Sequence, residues 1–117
     1  MSANNRLRIS NICDGEPITN ITFRWGFVRE ISYDLGSTIA WDPWPRPSDL
    51  SDTMTIGGYY ARPKGSLSLI YVKIIIKNDV ILSYESSDEP EYEYLEKKSE
   101  AILTNVIDKF RHVNGLR

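Results

Sequence analysis

Apolar and polar residues alternate along most of the chain, and the period changes only in the last quarter. Between Leu67 and Lys77 the even positions are mostly apolar, while the odd positions include two lysines. Alternation of β-branched residues is typical of a half-buried strand. A second apolar run follows Asn78-Asp79, so residues 66–87 predict a central β-hairpin.

Two registers are compatible with this hairpin. A two-residue turn pairs Lys77 with Val80, whereas a turn of odd length shifts the pairing by one residue. Such a slip moves every side chain to the opposite face. We predict the odd-length turn because it keeps the apolar set on one face. Its pairs are Ile76 with Leu82, Ile74 with Tyr84, and Lys73 with Glu85. The face predicted to pack on the helix is Ile70, Val72, Ile74, Ile76, Leu82 and Tyr84.

Three other stretches predict strands. Arg6–Cys13 alternates imperfectly, and Ile18–Val28 carries the aromatic stripe Phe23, Trp25 and Phe27. A Gly/Pro turn cluster between these two stretches indicates a hairpin. Thr53–Ala61 also alternates, and its Gly57-Gly58 pair suggests a bulge or bend.

The segment between the second strand and Thr53 is harder to interpret. Arg29–Leu35 fits either a short strand or one helical turn, and Ser37–Trp41 is a candidate strand. In residues 42–49 every second residue from Pro43 to Pro47 is proline. Prolines so spaced favour an extended, polyproline-like loop.

From Tyr92 onward the apolar spacing becomes three and four residues, which predicts an amphipathic helix of about 20 residues. Asp88 is a candidate N-cap, and Asn114-Gly115 is a candidate stop. The predicted fold class is therefore α+β. It comprises an antiparallel β-sheet of about five to six strands, bent or partly closed, packed against one long C-terminal helix.

Length and composition narrow the functions. The 117 residues predict a single domain, 1–117, and the net charge of −2 argues against nucleic acid as the main partner. No apolar run reaches the roughly 18–20 residues of a membrane span, and the N-terminus lacks a secretory signal. With a single cysteine, these features lead us to expect a cytoplasmic protein that makes no membrane contact.

The sequence contains few of the residue patterns that catalytic and cofactor sites require. One His and one Cys do not form a zinc site, and His112 lies far along the chain from Cys13. The glycines match neither the Walker pattern nor the dinucleotide fingerprint. We therefore predict no catalytic residues, no metal site and no cofactor, and hence no enzyme.

Two segments have the composition of a protein interface. The stiff loop that begins at Trp41 carries tryptophan and arginine, which often anchor interfaces. The alternative for its tryptophans is to plug one end of the sheet. The second segment is an acidic run with interleaved tyrosines before Lys97; its alternative role is to complement the helix dipole. The predicted partner-binding residues are Trp41, Trp44, Arg46, Glu85, Asp88, Glu89, Glu91, Tyr92, Glu93 and Tyr94.

These features favour a protein-binding module. In size, charge layout and lack of catalytic motifs, the chain resembles the single-domain immunity proteins of bacterial toxin systems. That resemblance implies a cognate protein partner, a basic toxin domain such as a nuclease. The first alternative is a small-ligand binder with an aromatic pocket lined by Trp25, Phe27, Trp41 and Tyr60. The second is a carboxylate-based hydrolase. The oligomeric state stays open.

Overall fold

The chain forms one six-stranded sheet and one long helix, which confirms the α+β class. The computed structural model describes residues 4–63 and 67–113. The elements are β1 Asn5–Cys13, β2 Glu16–Phe23, β3 Ser32–Tyr33, β4 Thr53–Ala61, β5 Leu69–Lys77, β6 Val80–Ser86 and α1 Glu89–Val113. The strand order is β3-β1-β2-β4-β5-β6, and every neighbouring pair is antiparallel except the parallel pair β1–β3.

The sheet curls into a half-barrel whose two ends approach each other. β3 lies beside β1 at one end, and the chain that follows it reaches β6 at the other. Gly36 N donates to Ile81 O at 2.7 Å, and Ile81 N donates to Ser37 O at 2.9 Å. The bent, partly closed form of the predicted sheet is therefore confirmed. The strand predicted at Ser37–Trp41 is only a single bridge, from Thr38 to Val80.

One face of the sheet encloses the main core. Leu7, Ile21, Ile56 and Ile74 come from four different strands and are fully buried. The segment between β2 and β4 closes over this face with Tyr33, Ile39 and Trp41 in the same core cluster. The segment whose pattern was ambiguous therefore covers the drier face of the sheet.

Helix α1 lies on the opposite face, across β4 and β5. A Cβ atom at Gly57 would stand 2.9 Å from the Tyr92 ring, and Lys73 Nζ lies 3.3 Å from Glu91 Oε2. The prediction that the even-numbered face of β5 packs on the helix is therefore wrong. The chain between β2 and β4 supplies enough apolar side chains to cover that face, so the helix covers the mixed face instead.

The central hairpin combines both registers. Asn78 and Asp79 have φ values of 49° and 67°, and Lys77 pairs with Val80 across a two-residue turn. Positive φ at both central residues is the signature of a type I′ hairpin turn. The predicted odd-length turn is wrong.

A β-bulge follows the turn, and the pairing shifts there by one residue. Ile76 pairs with Ile81, which is fully buried, whereas Leu82 is 51% exposed. Placing Leu82 in the core was therefore wrong. Beyond the bulge the predicted pairs are confirmed: Ile74 with Tyr84, and Lys73 with Glu85.

Other predicted boundaries moved for local reasons. β2 ends at Phe23, five residues before the predicted end, because Gly26 turns the chain with a φ of 76°. β4 pairs with β5 without interruption through Gly57-Gly58, so the predicted bulge is absent there. These glycines instead leave room for Tyr92 on one face and Ile21 on the other.

The helix begins as the sequence predicts. Asp88 Oδ1 accepts a hydrogen bond from Glu91 N at 2.9 Å, which confirms the N-cap. α1 runs for 25 residues to Val113, longer than predicted. The stop predicted at Asn114-Gly115 lies outside the described residues.

Candidate functional site

The end of β6 and the first turns of α1 form one acidic surface. Glu85, Asp88, Glu89 and Glu93 are all exposed there, and Tyr94 is 64% exposed. We call these five residues the acidic surface. The β6-to-helix connection is short, so the N-cap at Asp88 fixes the helix start beside the strand end. Five of the predicted partner-binding residues therefore lie together and face outward.

The Glu91 side chain is bonded within the protein and is not part of the acidic surface. Ser87 Oγ donates to Glu91 Oε1 at 2.7 Å, and Lys73 Nζ donates to Glu91 Oε2 at 3.3 Å. The hydrogen bond from Ser87, followed by that from Lys73, lowers the pKa of the Glu91 carboxyl. Glu91 thus joins the helix start to β5 and is less available to a partner.

Tyr92 packs in a cluster of three tyrosines. Its ring centroid lies 4.7 Å from that of Tyr71 and 6.0 Å from that of Tyr59. Tyr59 and Tyr71 were not predicted to belong to this site, although both occupy odd positions and the observed register pairs them directly. To predict this cluster from the sequence, one would need the pairing of β4 with β5. One would also need to know that the helix covers the face with the odd-numbered residues of these strands.

Acidic side chains surround this tyrosine cluster. Burial, followed by the charge of Glu96, raises the pKa of Tyr92 far above its usual value of 10.0. The pKa of Tyr71 is also raised, by burial first and then by Glu89 and Glu93. The neutral phenols therefore line the inner margin of the acidic surface and add flat, hydrogen-bonding area to it.

The acidic character continues one helical turn further. Burial, with a contribution from the neighbouring charge of Glu100, raises the pKa of Glu96. Arg24 Nε donates to Glu100 Oε2 at 3.1 Å, which links the residue that follows β2 to the helix. This inner pair of acids is partly covered, unlike the five residues of the acidic surface.

The loop that begins at Trp41 packs against the end of the half-barrel through its two tryptophans, Trp41 and Trp44. Trp41 is 6% exposed, and its ring meets that of Trp25 edge-on at 5.2 Å. Trp44 is half-buried, and its ring meets that of Phe27 edge-on at 4.9 Å. Trp41 thus plugs the sheet, as in the alternative derived from the sequence, and offers a partner almost no surface.

The structure does not bring the two predicted segments together. Arg46 Nε donates to Asp79 Oδ2 at 2.6 Å, at the turn of the central hairpin. The acidic surface begins at Glu85, six residues further along β6, or about 20 Å in an extended strand. Trp44 and Arg46 therefore contact the same partner only if it spans the length of the hairpin.

A cavity of about 430 Å³ lies between the helix and the chain leading into β4. Leu50, Leu95 and Ile102 form apolar parts of its wall, and Asp49 and Lys98 also line it. None of the four residues predicted to line an aromatic pocket borders this cavity. Trp25 and Trp41 contact each other in the core instead.

Within residues 4–63 and 67–113, no group of three or more His, Cys, Asp or Glu side chains is arranged to hold a metal ion. The one helix in the same part of the chain is not apolar enough to cross a membrane.

Comparison with known proteins identifies no relative. No protein-family model matches the chain, and neither a curated protein nor a solved structure gives a significant match.

Proposed function

We propose that this protein is a non-enzymatic binding module that holds a basic protein partner against its acidic surface. In its most concrete form, it is a cytoplasmic immunity protein that neutralises a bacterial toxin, such as a nuclease. The observation that supports this most is the exposed acid cluster. Within the described chain, Glu85, Asp88, Glu89 and Glu93 form no salt bridge to Lys or Arg.

Concentrated like charge repels itself in the free protein, and a basic partner relieves that repulsion. A negative surface also steers a positive partner and raises the rate of encounter. Tyr94 adds an exposed aromatic ring, the type of side chain that often contributes most to binding energy. Inhibition follows when the covered basic surface is the one that the toxin uses on its own substrate.

The test begins by capturing the partner from the source organism with the wild-type protein as bait. A second bait carries Glu85→Lys, Glu89→Lys and Glu93→Lys. Glu91 is left intact because it is bonded to Ser87 and Lys73. A third bait, with Asp49→Lys, Asp52→Lys and Asp108→Lys, has the same net charge change at other exposed positions.

We expect a partner protein that is retained by the wild-type bait and the third bait but not by the second bait. The purified partner should lose its own activity when the wild-type protein is added, and binding should weaken as salt is raised. Equal retention by all three baits would refute the role of the acidic surface.

The second candidate function, a small-ligand binder, is favoured by the cavity beside Leu95. Its volume of about 430 Å³ falls within the usual range for ligand sites. Filling it with Leu95→Trp would abolish ligand binding while leaving the partner complex intact. A metabolite mixture that gives no ligand-dependent rise in Tm for the wild-type protein would count against this candidate.

A further inference from the structure

The outer edge of β6 is only partly paired. β6 is the last strand of the sheet, with β5 on one side. On its other side, residues 36–39 bond to Ile81 and bridge Val80, and the chain just before them lies beside β1 rather than beside residues 83–86. Beyond the bulge, residues 83–86 are regular strand again. Within the part of the chain that is described, these four residues therefore have a paired strand on one side only. The Tyr84 hydroxyl accepts a hydrogen bond from Asn11 Nδ2 of β1 at 3.2 Å, but that contact leaves the main chain of β6 unpaired.

The direction of the free main-chain groups follows from the pairing. Ser87 N donates to Tyr71 O at 3.0 Å, so the adjacent pair of Val72 with Ser86 is of the non-hydrogen-bonded type. Such pairs alternate with hydrogen-bonded pairs in an antiparallel ladder. The N–H and C=O groups of Tyr84 and Ser86 therefore point away from β5. No main-chain group of residues 4–63 or 67–113 bonds to them.

This edge is short, follows a bulge and carries Glu85, but it has no lysine or proline to block strand pairing. Natural edge strands are commonly blocked by lysine or proline. Residues 82–87 contain neither. Leu82 and Leu35, which are 51% and 50% exposed, lie at the end of the open stretch, where Gly36 bonds to Ile81. The edge therefore combines free main-chain groups with exposed apolar side chains.

We propose that residues 83–86 pair with an extended segment of the partner protein, which adds a seventh strand to the sheet. This inference rests on the proposed function and specifies how the partner is held. Glu85, Asp88 and Glu89 flank the open edge, so the complementary segment carries lysine or arginine. Main-chain bonds supply affinity in this mode, and alternate side chains supply specificity.

A second copy of this chain fits the edge less well than a basic segment. Pairing of two β6 edges would place the Glu85 and Glu89 side chains of both copies near one another. Like charges directly across a strand pair are destabilising. The negative charge of the edge thus disfavours self-pairing and favours a basic foreign strand.

The inference is tested with a seven-residue peptide of alternating lysine and valine, acetylated and amidated at its ends. Titrated into the isotope-labelled protein, it should shift the amide signals of Tyr84 and Ser86 and slow their hydrogen exchange. The same peptide with glutamate in place of lysine should bind at least about tenfold more weakly because of like-charge repulsion.

Two variants separate strand pairing from simple charge attraction. Ser86→Pro removes an outward N–H without removing a bond to β5, and should weaken peptide binding about tenfold or more. Ser86→Ala keeps that N–H and should bind as the wild-type protein does. Unchanged Tm values would show that both variants fold. Equal peptide binding by the wild-type protein and Ser86→Pro would overturn the strand inference, as would amide shifts confined to α1.

The outcomes for this inference and for the proposed function are distinct. If the captured partner is lost by the acid-reversed bait but retained fully by Ser86→Pro, the acidic surface stands and strand addition does not. A concentration-dependent dimer in sedimentation, abolished by Ser86→Pro, would assign the edge to self-association and overturn the inference.

Discussion

Arg46 donates from Nε to Oδ2 of Asp79 at 2.6 Å, joining the proline-rich loop to the turn of the central hairpin. Asp79 is the more covered partner, with 17% of its side chain exposed. Asp79 also has a φ of 67°, a conformation that costs an ordinary L-residue about 1–2 kcal/mol but is readily adopted by glycine.

Two substitutions of Asp79 separate the effect of the ion pair on stability from the effect of the turn conformation. Asp79→Gly loses the bond to Arg46 but fits the type I′ turn, whereas Asp79→Ala loses the bond and is also strained. Urea unfolding should therefore show Asp79→Ala to be less stable than Asp79→Gly by about 1 kcal/mol. Equal stability of the two variants would show that the turn conformation contributes nothing.

Trp41 should contribute to stability and not to partner binding. Trp41 is 6% exposed, and its ring packs edge-on against that of Trp25. Trp41→Ala should lower the free energy of unfolding by about 3–5 kcal/mol, as expected for an aromatic removed from a core. The matched variant Trp44→Ala should cost less because Trp44 is only half-buried. Loss of partner affinity in Trp41→Phe at unchanged Tm would contradict this assignment.

Gly57 should tolerate no side chain because the helix passes directly over it. A Cβ there would stand 2.9 Å and 3.2 Å from two ring carbons of Tyr92. Gly57→Ala should therefore displace Tyr92 and cost about 1–3 kcal/mol, the usual range for overpacking. Near-ultraviolet circular dichroism should report the disturbed tyrosine cluster. In a Tyr92→Ala background the same substitution should cost less, because the ring that the new Cβ meets is gone.

Glu96 should make the protein less stable at neutral pH than in mild acid. Burial raises its pKa above the usual 4.5, so the folded state holds the proton more tightly than the unfolded state does. The resulting penalty is fully present above the folded-state pKa and disappears as the pH falls toward 4.5. Glu96→Gln should raise stability at pH 7, with the gain vanishing near pH 4 in urea titrations.

Glu91, on the same helix, should have the opposite effect on stability at neutral pH. Its pKa is lowered from the usual 4.5, so its stabilising effect is present above that value and is lost as the pH falls through the folded-state pKa. Glu91→Gln should thus lower stability at pH 7 and converge with the wild-type protein in strong acid. If Glu96→Gln lowered stability at pH 7, as is expected of Glu91→Gln, the burial assigned to Glu96 would be wrong.

Elements with long, regular patterns were predictable from the sequence. The period of α1, its N-cap at Asp88 and the full extent of β4 are as expected. A helix start depends on neighbouring residues, whose chemistry is visible in the sequence. The acidic surface was predictable for the same reason, because its residues are close together along the chain.

Features that depend on distant residues were not predictable. Relative to the predicted pairing, the two-residue type I′ turn and the bulge each shift the hairpin register by one residue, in opposite directions. The pairs beyond the bulge are therefore those of the predicted odd-length turn. The side of the sheet that α1 covers depends on Tyr33, Ile39 and Trp41, which lie in a segment without a clear pattern. The tyrosine cluster was missed because Tyr59 and Tyr71 meet Tyr92 only once that side is known.

The bulge at Leu82 has a consequence for how the hairpin tolerates insertions. Because the one extra residue lies between the turn and residues 83–86, it offsets a change of one residue on the turn side. Lengthening the turn by one residue and deleting Leu82 should restore the same inward and outward alternation in the rest of β6. The turn can therefore be lengthened by one residue, with Leu82 deleted, while the acidic surface keeps its position.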